Sequence, residues 1–238
     1  MKMWKCSILF GAAMILILSS LTGSAAELTD GTGDVYHHKW SQNQWTWTAS
    51  TVDKPNIDIT KVSYSVSDDT LTATMEVNGE IESSTKIAYF LYFNTTDAIY
   101  MLSYVNGQGA ALGMSIGGDI NMSYGEVIAT GNTMTATIDL LGDDTAEDFW
   151  GVAAEYSADY TTIENTEELE WWGDWVPGTY APWYASGNGD GDGTGDGGDG
   201  DGTGNGGDGD TDGGTPGFET LAVIAALAIA CILLRRKK

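Results

Sequence analysis

The sequence predicts an all-β chain, an antiparallel β-sandwich, on three observations. Apolar and polar residues alternate with period two in short runs between residues 57 and 156. Asn-Gly, Asp-Asp and Gly-Asn pairs punctuate those runs as turns. No long stretch shows helical period. Flanking this region, the sequence predicts a signal peptide at 1–26, a disordered Gly/Asp linker at 187–214 and a C-terminal transmembrane helix within 215–238. The ectodomain is then 27–186.

Along the domain, Val62, Tyr64 and Val66 alternate with serines. Leu71, Ala73, Met75 and Val77 do the same after Asp68-Asp69, which makes a hairpin with one buried face. Ile57 and Ile59 are out of phase with Val62, which predicts a bulge or bend near Thr60-Lys61. Ile87 to Phe93 is nearly all apolar and reads as a buried central strand. Ile99, Met101 and Ser103 alternate with Tyr100, Leu102 and Tyr104, so both faces of that strand are covered. Asn106-Gly107 turns the chain. Ala111–Ile116 and Val127–Thr130 are weaker strands, and Met134, Ala136 and Ile138 share one face of 133–140. Polar Gly142–Phe149 is expected to hold a helical turn or two, before a strand over Trp150–Tyr156.

The charge divides with the segments. The chain has 238 residues and a formal net charge of −24. Residues 1–26 contribute +2, 27–186 contribute −21 (25 acids, 4 bases), 187–214 contribute −8 and 215–238 contribute +3. A chain this acidic lacks the Lys/Arg clusters that bind phosphate backbones, so nucleic acid is excluded as a partner. Two Cys and two His exclude most zinc, iron–sulfur and Cys/His chemistry. Both cysteines, Cys6 and Cys231, lie outside 27–186, so the domain must be held by burial and not by disulfides.

Lys2 and Lys5 precede the apolar run to Leu21, and Gly23-Ser24-Ala25-Ala26 supplies small residues for cleavage after Ala26. The alternative is an uncleaved anchor. Residues 187–214 hold fifteen Gly and eight Asp with no apolar side chain, too polar to fold. They lack the closing Glu of an EF-hand. At the far end, Leu221–Leu234 is uncharged and is followed by Arg235, Arg236, Lys237 and Lys238, a membrane-stop cluster that stays cytoplasmic. Fourteen residues of helix span only about 21 Å, against a hydrocarbon core of about 30 Å.

Pro216, Gly217 and Phe218, the apolar run and the basic cluster together resemble the PGF-CTERM class of archaeal sorting signals. The resemblance covers the last 24 residues. It implies an archaeosortase-type processing enzyme, removal of the helix and coupling to a membrane lipid. The protein would then sit on the outer face of the cytoplasmic membrane. An ordinary membrane helix is the alternative, with the same location. Asp30-Gly31-Thr32-Gly33-Asp34-Val35, then Pro55–Ile59 leading into the Val62–Val77 hairpin, resembles the DOMON and family-9 carbohydrate-binding superfamily. That resemblance implies a β-sandwich that binds sugar, haem or calcium. Haem is disfavoured, because His37 and His38 are adjacent on a strand and point to opposite faces.

These readings lead to a non-catalytic binding domain at the cell surface, taking glycan or another envelope component. A structural surface-layer or adhesion role, and a haem- or calcium-binding accessory role, are the alternatives. Trp171, Trp172 and Trp175 follow an acidic stretch and are the candidate ligand-binding aromatics. Trp40, Trp45 and Trp150 are expected in the core. No cofactor is expected other than calcium, for which Asp30, Asp34 and Asp58 are the candidate ligands. Asn94-Thr95-Thr96 and Asn121-Met122-Ser123 are glycosylation sequons. Carboxylate pairs abound, but abundance in an acidic chain selects none as catalytic.

Overall fold

The structure is a computed structural model, and it describes residues 24–41, 43–159 and 169–182. The signal peptide, the Gly/Asp linker, the sorting motif and the basic cluster lie outside the described residues. Among the described residues, no helix is long and apolar enough to cross a membrane.

Twelve strands follow in order: β1 (Ala25–Thr29), β2 (Tyr36–Ser41), β3 (Gln44–Ala49), β4 (Ile59–Ser67), β5 (Thr70–Val77), β6 (Ile87–Asn94), β7 (Ala98–Val105), β8 (Gln108–Ser115), β9 (Met122–Thr130), β10 (Thr133–Asp139), β11 (Asp148–Tyr156) and β12 (Trp171–Val176). They are antiparallel and run β1-β4-β5-β10-β9-β8-β7-β6-β11-β12-β2-β3 across one sheet. The sheet curls so that its two halves face each other. On the inside, the Tyr64 ring meets Phe93 and Phe149, each at 4.9 Å between centroids. At Gly151 of β11, a Cβ would press on Val62 and Met75 of the opposite half. The aliphatic core between them includes Val62, Leu71, Met75, Leu91, Leu102, Met134 and Ile138, all buried.

β9 makes the corner. Its residues 122–125 pair with β8 and its residues 126–130 pair with β10. The bend needs close backbone approach, and two glycines permit it. A Cβ at Gly109 would collide with the Val127 carbonyl, and one at Gly125 with the Thr137 carbonyl.

The hairpin patterns read from sequence appear with their registers. The phase break near Thr60-Lys61 is a register shift between Ile59 and Lys61 in the β4–β5 pair. Asp68, Asp69, Asn106 and Gly107 all have positive φ, as tight hairpin turns require. β6 is central between β7 and β11, and Tyr100, Met101, Leu102 and Ser103 of β7 are all buried. One expectation is corrected. Gly142–Glu147 forms no helix. It wraps instead around the Asp97 carboxylate, which accepts from the Asp143 N–H at 3.1 Å and from Thr95 Oγ1 at 2.9 Å. The local acceptor outcompetes helical bonds in so short a polar segment.

Two strands without a clear alternating signature close the sheet. β12 pairs with β11 on one side and β2 on the other, through Trp171↔His38, Trp172↔His37 and Gly173↔Tyr36. This junction positions the candidate site.

Candidate functional site

The loop between β1 and β2 carries Asp30 and Asp34. Its turn is made by Gly33, whose φ of 81° favours glycine. Asp58 immediately precedes β4. One oxygen of its carboxylate, Oδ2, accepts from the Gly33 N–H at 2.9 Å and from Asn78 Nδ2 at 3.2 Å, which fixes the loop against the sheet. Asp174 lies in β12, on the inward side opposite Trp171 and Trp175. Its Oδ2 accepts from the Ile59 N–H at 2.6 Å and its Oδ1 from the Trp175 N–H at 2.8 Å.

Carboxylate oxygens of Asp30, Asp34 and Asp174 lie within 4.8 Å of one another. Two of the three sequence candidates therefore meet, and Asp174 joins them. Asp58 stands behind the loop as its support. Sequence reasoning missed Asp174, which is 140 residues from Asp34. Its only signal was a lone acid inside the apolar Trp171–Val176 run.

The surroundings disfavour the ionised form of three of these carboxyls. Burial, and then the Asp34 charge, push the Asp30 carboxyl up to about 6. Asp174 is raised well above the ordinary carboxylate range by burial, with Asp34, Asp30 and Asp58 adding to it. Burial raises Asp58 as well, followed by the charges of Asp34 and Asp53. Asp58 Oδ1 is buried with no hydrogen-bond partner, and the residue is 1% exposed. The nearby lysine is already engaged. Lys54 Nζ bonds Glu155 at 2.7 Å and sits 4.0 Å over the Trp172 ring. A cleft of about 220 Å³ opens beside Asp58, lined by Gly33, Val35 and residues 50–54.

The candidate aromatics separate by face. Trp172 points inward, half-buried, stacked on His37 at 4.5 Å. Trp171 and Trp175 point to the outer face and are each only 4% exposed. They pack with Trp47, Tyr92, Val152 and Tyr156 in a second apolar cluster. Their rings thus support neighbours and lie largely closed. His38 is on the same outer face, stacked on Trp45 at 4.9 Å, while His37 faces inward and bonds Glu170 at 2.8 Å. The two histidines do point to opposite faces.

Trp40 departs from its expected place in the core: it is 59% exposed, because it lies past His38, the last β2 residue that pairs with β12, and on the edge hairpin it faces Trp45. Its ring meets Trp45 edge-on at 5.7 Å. Trp45 and Trp150 are half-buried. Tyr92, Trp150 and Tyr180 form a parallel stack at 4.1 and 5.2 Å, and Tyr180 is partly open to solvent. Of the sequons, Asn94 is half-buried at the end of β6 and Asn121 is exposed in the β8–β9 turn.

No family model, no curated protein and no solved structure matches the chain.

Proposed function

We propose that this is an exported protein held on the outer face of the cytoplasmic membrane, and that its β-domain is a sandwich-like, non-catalytic binding module loaded with a hard divalent cation, calcium first. The observation that carries the reading is the convergence of Asp30, Asp34 and Asp174 within 4.8 Å. Calcium–oxygen bonds of about 2.3–2.6 Å put two ligand oxygens up to roughly 5 Å apart across one ion. An all-oxygen set on a loop suits calcium better than zinc, which prefers nitrogen and sulfur. A cation would relieve the repulsion among these carboxylates. Binding is favoured over catalysis because both oxygens of Asp174 are engaged by backbone N–H groups, which favours a fixed ligand over a mobile acid.

Calcium titration of the full chain in detergent, followed by thermal melting, tests this. Saturation at 100 times Kd should add about 2.7 kcal/mol of stability, which a chelator removes. No shift at 10 mM calcium would overturn the cation reading.

Glycan recognition is the second reading, and the exposed rings favour it. Trp40 and Tyr180 offer open faces beside Trp45 and Trp150, at positions where a sugar ring could stack. Retention on envelope polysaccharide, lost in Trp40→Ala or Tyr180→Ala, would support it. Processing at Pro216-Gly217-Phe218 and lipid attachment are read from intact mass of the native protein. A mass that keeps Leu221–Lys238 would leave a helix anchor instead.

A further inference from the structure

One outer region of the sheet is apolar and open. Across β7, β8 and β9 the outward side chains align in register: Ile99 opposite Met114 opposite Met122, and Met101 opposite Leu112 opposite Tyr124. Met114, Ile116, Ile120, Met122, Tyr124 and Ile128 are between 37% and 78% exposed, and they are six of the nine large apolar side chains exposed among the described residues. Together they leave on the order of 600 Å² open, at the upper end of what monomers carry and near the ~800 Å² per partner of a stable interface.

Charge selects the occupant. Residues 98–138 hold two acids and no base, while 27–186 hold 25 acids. Two copies of so acidic a domain repel each other through most of their surfaces. This face is where like copies can approach without opposing many charges. The sheet end beside it is different. Asp97, Asp119, Asp143, Asp144, Glu147 and Asp148 lie at or near the β8–β9 turn end, by the register that runs from Asp148 through Asn94 and Ile99 to Met114. Those acids disfavour driving the Ile116–Ile120 turn into an anionic bilayer. The apolar residues also spread along a pleated face, with Met122, Tyr124 and Ile128 on one side of β9, and are not confined to its tip.

We propose that the outer face of β7–β8–β9 is a twofold interface with a second copy of this chain. The two exposed methionines on it, Met114 and Met122, adapt to a self-complementary surface, and a twofold axis needs only one such patch. Glu126 is exposed between Tyr124 and Ile128 on the same strand face, and Asp119 is exposed in the turn between Ile116 and Ile120, so each copy brings two acids to the contact. Association should therefore strengthen with salt, as the Debye length falls from about 10 Å at 0.1 M to about 3 Å at 1 M. This inference stands apart from the cation reading, since none of its residues is in the acidic corner.

The test is the mass of the full chain in detergent, by sedimentation and light scattering at 0.1 and 1 M NaCl, for wild type, Met122→Asp, Ile128→Asp and Gln44→Asp. Gln44 is exposed at the β2–β3 turn, outside the face and not among the residues that line the cleft, and serves as the control. The expected result is a wild-type dimer, tighter in high salt, with Kd raised at least tenfold by either β9 substitution and unchanged by Gln44→Asp. Unaltered β-sheet circular dichroism and a cooperative thermal melt would show that the variants fold. A monomer at both salts overturns the proposal. So does a dimer indifferent to the β9 substitutions, which would place the contact elsewhere on the chain. A monomer that binds neutral vesicles through Met122 overturns it in favour of a lipid surface.

Discussion

The acidic corner and the β7–β8–β9 face are opposite in chemistry and alike in one respect. At the corner, Asp30, Asp34, Asp58 and Asp174 gather carboxyl groups that form no ion pair among the described residues. On the face, Met114, Met122, Tyr124 and Ile128 hold apolar area that the chain leaves open to solvent. Each is a cost borne within the domain: carboxylates desolvated together, or hydrocarbon left wet. The pairing suggests that a fold's unmet local demands show what it takes from outside, a cation in one place and a surface in the other. The inner core makes neither demand, since its aliphatic side chains cover one another.

The largest effect tests whether the two regions depend on the same corner strand. Gly125→Ala would drive a Cβ into the Thr137 backbone, where no side chain can give way. A loss of about 3 kcal/mol or more is expected in chemical denaturation, with the dimer weakened too, because β9 carries the face. The cation response of any folded fraction should survive, since β9 carries none of the four aspartates.

Asp174 gives a sharper result through a reversal of sign. Asp174→Asn removes a buried charge from the corner while keeping one carbonyl acceptor. With chelator present the variant should melt at or above wild type. In saturating calcium it should melt well below, with cation affinity reduced roughly 100-fold, or close to 3 kcal/mol. Melting curves in the two media decide this; a variant destabilised equally in both would make Asp174 structural only.

The pH dependence is a smaller version of the same effect. Asp30 in the folded domain is raised from 3.8 to about 6, so the folded state holds its proton more tightly than the unfolded chain. Its contribution is then full below about pH 4 and is lost as pH rises through 6. For a half-buried group screened by solvent this is about 1–2 kcal/mol. Asp58 and Asp174 shift in the same direction. Metal-free protein should therefore melt lower at pH 7 than at pH 5, and calcium should flatten or reverse that slope. A metal-free slope of opposite sign would contradict the strained corner. Smallest of all, Trp40→Ala should change stability by less than about 0.5 kcal/mol, because its ring is mostly solvated.

Much of this fold was legible in the sequence because one face of each early strand is buried. The serine alternation of Val62–Ser67 and the threonine alternation of Leu71–Val77 could be read directly, as could the phase slip at Thr60. β7 was legible as covered on both sides. β12 was not, because Trp171, Trp172 and Trp175 are too large and too close to show a period, although Trp171 and Trp175 share a face and Trp172 takes the other. The acidic corner was legible by half. Asp30 and Asp34 share a loop, whereas Asp174 reaches them only because β12 inserts between β11 and β2. No local pattern encodes that insertion. The Gly142–Glu147 segment failed for a related reason, since its acceptor, Asp97, is some 46 residues away.

The insertion of β12 also sets an order of events for the newborn chain. Among the described residues, the β2–β3 hairpin pairs with the rest of the sheet only through β12, so its pairing waits until residues 171–176 have been synthesised. The acidic corner is likewise incomplete until then. Should the chain cross the membrane unfolded, both would close on the far side, where calcium at 10⁻⁴–10⁻³ M suits modules of this kind. An ion taken up there would act as a latch, fastening the β1–β2 loop to β12 once both have been delivered.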